Sequence, residues 1–180
     1  MHRKPLLELL ANYRQQHPAE ITTADQLLEF VQNNHDCFER SLLCGHITGS
    51  AWLVNDNSTH VLLTHHRKLN RWLQLGGHAD GEDDVLNVAL REAQEESGLT
   101  DIEMVRSTIF DIDIHPIPAR KAEPEHLHYD VRFAFRAVGD QRFVVSDESN
   151  RLAWVPVIGL EDVVQDASML RMAEKWLMVG

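Results

Sequence analysis

The chain has 180 residues, 43% of them hydrophobic and 25% charged, the balance of a globular domain with a buried core. A formal charge of -11 argues against a nucleic-acid binder, which needs a basic face for the phosphate backbone. No apolar run approaches the roughly 18 residues of a membrane span, and Met1 to Arg14 lacks the apolar core and small-residue cleavage site of a secretory signal. The expected location is the cytoplasm. Cys37 and Cys44 have no histidine cluster at zinc-finger spacing and read as reduced thiols.

In chain order, Leu6, Leu9, Leu10 and Tyr13 recur at helical spacing after Pro5, a good first-turn residue. A second helix is expected at Leu27, Leu28, Phe30 and Val31, with Thr23 and Gln26 as a capping box and "VQNNHD" as its stop. Residues 1–45 therefore read as a helical N-terminal extension. From Ala51 the pattern changes to short apolar runs: "AWLV", the turn "NDNS", then "HVLLTHH", a predicted hairpin. "IEMVRSTIFDIDI", "HLHYDVRFAF", "RFVV" and "RLAWVPV" continue the strand signals, and "ASMLRMAEKWLM" reads as a closing helix. The fold class is α+β, a mixed and mostly β body with helices in its middle and at its ends.

The centre of the chain is unusually acidic. From Asp80 to Glu96 there are seven carboxylates and one arginine, a net of -6 within a total of -11. Between Asp84 and Ser97 nothing breaks a helix; Glu82, Asp83 and Asp84 suit its positive N-terminal end and Gly98 its stop. Leu86, Ala89, Leu90 and Ala93 form the apolar stripe, and Glu92, Glu95 and Glu96 project together beside it. Such like charges repel at i,i+4 spacing, and Arg91 alone cannot neutralise three acids. A hard divalent cation would, and the turn at Gly76 and Gly77 lets backbone approach it closely. Three glutamates on one helix are by themselves the ordinary mark of a solvated acidic face.

The spacing changes that reading. Gly77, five residues, Asp83, seven residues and "REAQEESGL" resembles the Nudix box, matching every fixed position except the first glutamate, where Asp83 stands. The resemblance implies a Nudix-type α/β/α sandwich over residues 46–180. It also implies an enzyme that uses magnesium or manganese to hydrolyse a diphosphate linkage in a nucleotide-type small molecule. By position, Gly77, Glu92, Glu95 and Glu96 would hold metal, Glu92 and Glu95 would be catalytic, and Arg91 would orient a glutamate. Asp83 keeps the charge one methylene shorter, and the adjacent Glu82 offers a substitute.

Beyond the box, "EHLHYDVRFAF" alternates Leu127, Tyr129, Val131, Phe133 and Phe135 against His126, His128, Asp130 and Arg132. The first set is core; the second either meets solvent or lines a substrate cleft. His126 and His128 point the same way and could share a phosphate or metal. His78 follows Gly77 in an expected loop, and His115, Arg120 and Lys121 occupy a Pro-rich connection where phosphate-binding side chains reside. "HHRKLNR", residues 65–71, is a basic patch able to steer an anion. No signature outside the box picks out a substrate. Two alternatives stay open: an isopentenyl-diphosphate-isomerase-like enzyme, which needs a catalytic cysteine in a motif that Cys37 and Cys44 lack, and a nucleotide sensor without turnover. The N-terminal helices could cap the sheet, cover the substrate or make a homodimer.

Overall fold

The computed structural model describes residues 2–67, 70–120, 124–144 and 149–179. Lys68, Lys121 and Val145, each part of a segment singled out in the sequence, lie outside them. Two helices, α1 (Lys4–Gln16) and α2 (Ile21–Asn33), precede the strands β1 (Gly45–Val54), β2 (His60–His66), β3 (Arg71–Leu73) and β4 (Leu75–His78). The helix α3 (Val85–Ser97) follows, then β5 (Ile102–Met104), β6 (Asp111–Ile117), β7 (His126–Ala137), β8 (Ser149–Pro156) and the helix α4 (Ala167–Val179).

The strands form one mixed sheet. β1 and β7 run parallel at its centre, in register from Gly45 opposite Leu127 to Val54 opposite Arg136. β8 pairs with β2, while β6 and β5 share the outer edge of β7. β3 pairs with β2, and after Gln74 the chain crosses over as β4 to pair with the first half of β1. That crossing delivers Gly76, Gly77 and His78 to the sheet beside Ser50, Gly49 and Thr48.

Period-two alternation sends side chains to two different cores. Ile47, Ala51, Leu53, Val131, Phe133 and Phe135 face α1, α2 and α3, whose Leu10, Leu27, Phe30, Val88 and Ala89 join the same cluster. Trp52, Val54, Leu63 and Ala134 face the other way, onto Met169, Met172 and Ala173 of α4. The result is the expected α/β/α sandwich. The N-terminal helices pack in the larger core, where Phe30 stacks on Tyr129 with centroids 3.7 Å apart.

Several local expectations change. α2 begins at Ile21 with no side-chain cap, so Thr23 lies inside the helix; the short helical turn Pro18–Glu20 runs directly into it and sets its start. β1 begins at Gly45, six residues before the apolar run, because His46, Thr48 and Ser50 alternate with core residues on a strand buried on both faces. The segment "IEMVRSTIFDIDI" is two strands. It leaves β7 at Val105, whose N–H donates to Ala134, and rejoins at Phe110, whose N–H donates to Arg132, so polar Arg106, Ser107 and Thr108 loop out between them. Residues 142–144 are not a strand: Val144 donates its N–H to Ser97 at the end of α3, 2.7 Å away.

Candidate active site

The carboxylates sit where α3 lies against β4. Asp84 caps the helix by accepting the N–H of Asn87 at 3.2 Å, and Gly98 ends it in the left-handed conformation (φ 71°), its N–H reaching Gln94 at 2.8 Å. The buried stripe is Val85, Val88, Ala89 and Ala93, while Leu86 and Leu90 are half-buried. This stripe is rotated from the one expected, and the rotation turns Glu92 and Glu96 inward toward β4.

The two glycines make room for them. A Cβ on Gly77 would collide with the carboxylate of Glu92, and one on Gly76 would collide with Ser50. Close approach, not an unusual φ, is what requires glycine here. Glu96 accepts the N–H of Gly76 at 2.8 Å. Glu92 is 16% exposed and accepts from Arg91 at 2.7 Å, whereas the Glu95 side chain is 62% exposed and 3.5 Å from the same guanidinium. Arg91 also donates to the carbonyl of His78 at 3.3 Å and lies 3.7 Å from Glu82, tying the helix to β4. Burial opposes the charge on Arg91, but Glu92, Glu95 and Glu82 outweigh it and raise its pKa. Glu82, not the exposed Asp83, is thus the acid that meets Arg91, and Asn87 bonds to Glu82 as well.

A second set of polar groups lines the face of the sheet that carries α4. His46 lies opposite His128 across β1 and β7, and His78 lies opposite Thr48 across β4 and β1, so all three side chains share that face. Their ligand-type atoms fall within 4.8 Å of one another. His126 and His115 adjoin them, with ring centroids 5.0 Å from His46 and 5.5 Å from His128 respectively. Burial, reinforced by His78 and His126, lowers the pKa of His46 to about 4; burial, with His78 and His46, lowers that of His128 to about 3. Both are neutral imidazoles at neutral pH. His78 belongs to a strand, not to the expected loop.

Next to the histidines the face is sealed by ions. Asp130 accepts from Thr48 at 2.8 Å, Ser50 at 2.7 Å, Arg132 at 2.7 Å and Gln74 at 3.2 Å. Burial by itself would raise its pKa, but Arg132 and these donors prevail and keep it ionised. Arg132 is 2% exposed and also pairs with Asp111 at 3.2 Å and Asp113 at 3.3 Å; Arg171 and Lys175 of α4 complete Asp111 at 2.7 and 2.6 Å. The polar face of β7 therefore does not meet solvent at Asp130 and Arg132, correcting one of the two readings left open by its alternation.

The structure brings together Gly77, Arg91, Glu92, Glu95 and Glu96 at one edge and His78, His115, His126 and His128 on one face. It does not bring in Arg120, which is exposed beyond β6 and makes no ion pair with the carboxylates among the described residues. The sequence reading missed His46. Its signal was available: His46, Thr48 and Ser50 repeat at period two, as His126, His128 and Asp130 do on the neighbouring strand.

Comparison with known proteins agrees with this architecture. The family model described as NUDIX domain matches residues 46–173, and the chain belongs to that family. Among solved structures, the C. elegans Ap4A hydrolase in a binary complex superposes with a TM-score of 0.61 at 14% identity, over 74% of this chain and 96% of that one. A NUDIX-family hydrolase from Clostridium perfringens gives 0.56 at 23% identity, over 75% and 98%. The E. coli dihydroneopterin triphosphate pyrophosphohydrolase gives 0.52 at 13% identity, over 74% and 96%. A search of curated proteins found no significant match.

Proposed function

We propose that the protein hydrolyses a diphosphate linkage in a nucleoside diphosphate derivative or nucleoside triphosphate, using magnesium or manganese, in the cytoplasm. The observation that carries this reading is the packing of Glu92 and Glu96 against Gly77 and Gly76, with Glu95 beside them, which gathers three carboxylates of one helix at the strand that bears the glycines. Carboxylate oxygens so gathered fit a hard divalent ion. Glu92, Glu95 and Glu96, with the carbonyl of Gly77, would hold it. When bound, such an ion would supply Lewis-acid stabilisation of phosphate charge and would lower the pKa of the attacking water.

The chain's own groups supply the rest. Glu92, fixed by Arg91, accepts the proton of the attacking water. Arg91 acts as a positioning residue, since its bonds run to Glu92 and to the carbonyl of His78. His78, His115, His126 and His128 form a wall for the substrate; Arg120, exposed beyond β6, is left out of it. Asp130 is no alternative base, because all its donors would have to be given up. The isomerase alternative draws no support: Cys37 is fully buried, its thiol pushed up to about 11 by burial, and Cys44 lines a separate groove with Phe30 and Tyr129.

The test is phosphate or pyrophosphate release from nucleoside triphosphates, sugar nucleotides, dinucleotide polyphosphates and coenzyme A, each with magnesium, manganese or chelator. Metal-dependent cleavage of one class supports the reading and names the substrate. Nucleotide binding in a thermal shift without any cleavage would replace the hydrolase with a sensor.

A further inference from the structure

His46, His78 and His128 come from three neighbouring strands, and their ligand-type atoms lie within 4.8 Å of one another. A buried imidazole ordinarily finds partners for its N–H and its lone pair. His46 is 3% exposed, yet among the described residues neither of its ring nitrogens has a hydrogen-bond partner, and Nε2 of His128 is buried without one as well. Orphaned nitrogens converging on one point are a set of donors without an acceptor for their lone pairs.

We propose that His46, His78 and His128 form a second metal site, distinct in chemistry from the carboxylates, which takes a divalent transition ion of the imidazole-preferring kind, with zinc as its type. Nitrogen donors select zinc, cobalt, nickel or copper over magnesium and manganese, which prefer oxygen. Zinc–nitrogen bonds of about 2.0–2.1 Å place tetrahedral donors about 3.3 Å apart, so the present spread of 4.8 Å must contract by about 1.5 Å at most on binding. Three protein ligands leave a fourth position open to water or a ligand oxygen.

The neighbours fit an outer shell. His115 pairs with Asp113 at 3.1 Å. Nδ1 of His126 faces the carbonyl of Pro124 at 2.9 Å; a carbonyl only accepts, so this nitrogen donates. Asp130 is not a competing ligand, because Arg132, Thr48, Ser50 and Gln74 occupy its oxygens.

The experiment uses the untagged full chain, stripped with chelator and titrated with cobalt(II) in excess magnesium, then with zinc. One equivalent of cobalt should give the strong visible absorption of a four- or five-coordinate nitrogen site, and zinc should abolish it. The band should survive in Glu95→Gln, which separates this site from the hydrolytic carboxylates, and vanish in His46→Ala and His128→Ala. His78→Gln, at a half-buried position, tests the same point should the buried variants fail to fold by circular dichroism. Zinc affinity should fall at least 100-fold in each folded histidine variant. No band in the wild-type chain, a band retained in folded histidine variants, or stabilisation by inorganic phosphate with no cobalt uptake would overturn the proposal.

Discussion

The carboxylate edge and the histidine face are adjacent in chain at Gly77 and His78, yet they are built in opposite ways. Three acids of the edge lie within five residues on one helix, and the groups that receive them, Gly76 and Gly77, come from one short strand. The histidine face is assembled from β1, β4, β6 and β7, with positions as far apart as His46 and His128. The edge keeps its charges half in water and leaves Glu95 open; the face buries its polar groups and must satisfy them internally. A local site tolerates substitution in its surroundings, whereas a long-range site is bound up with the fold's stability.

That contrast is sharpest at Arg132. Arg132→Leu would leave Asp130, Asp111 and Asp113 buried with too little positive charge and should cost about 3–5 kcal/mol, read as a lower urea midpoint. A loss under about 1 kcal/mol would mean that the face is not the stability-determining region.

Acid should act on the same face. The usual histidine pKa is 6.5, and His46 in the fold is lowered to about 4, so the unfolded chain takes up the proton first as pH falls. The stability from its neutral form is complete above pH 6.5 and is lost between 6.5 and about 4, on the order of 3 kcal/mol for this one group. Thermal melts across that range should fall with pH, and His46→Gln should flatten the dependence.

At the edge, effects on stability should be smaller and effects on turnover larger. Gly77→Ala places a Cβ against Glu92 and should cost about 1–3 kcal/mol while lowering turnover at least tenfold. Smallest of all, Asp83→Ala should change stability by less than about 0.5 kcal/mol, because Asp83 is exposed. Glu82→Ala, which removes a partner of Arg91, should lower turnover more than Asp83→Ala does. The reverse order would return the box's first acid to Asp83.

The same contrast explains what could be seen in the sequence. Glu92, Glu95 and Glu96 follow a helical period and Gly77 stands at a fixed distance, so spacing along the chain brought these residues into view together, and the resemblance to the Nudix box gave them their expected role. β6 and β7 were visible by alternation, but β1 was recognised only from Ala51, since His46, Thr48 and Ser50 carry no apolar signal. The buried hydroxyls of Thr48 and Ser50 donate to Asp130, about eighty residues away, through hydrogen bonds that spacing along one strand does not encode. The displaced start of α2 and the looped-out residues 106–108 likewise depend on neighbours, not on propensity.

We propose above all that the carboxylate edge is a metal-dependent hydrolytic centre. The most direct test is Glu95→Gln, at a side chain 62% exposed, assayed beside wild type for phosphate or pyrophosphate release with saturating magnesium or manganese. The account predicts at least a 100-fold loss of turnover with an unchanged melting temperature. Full activity in a folded Glu95→Gln enzyme would contradict it.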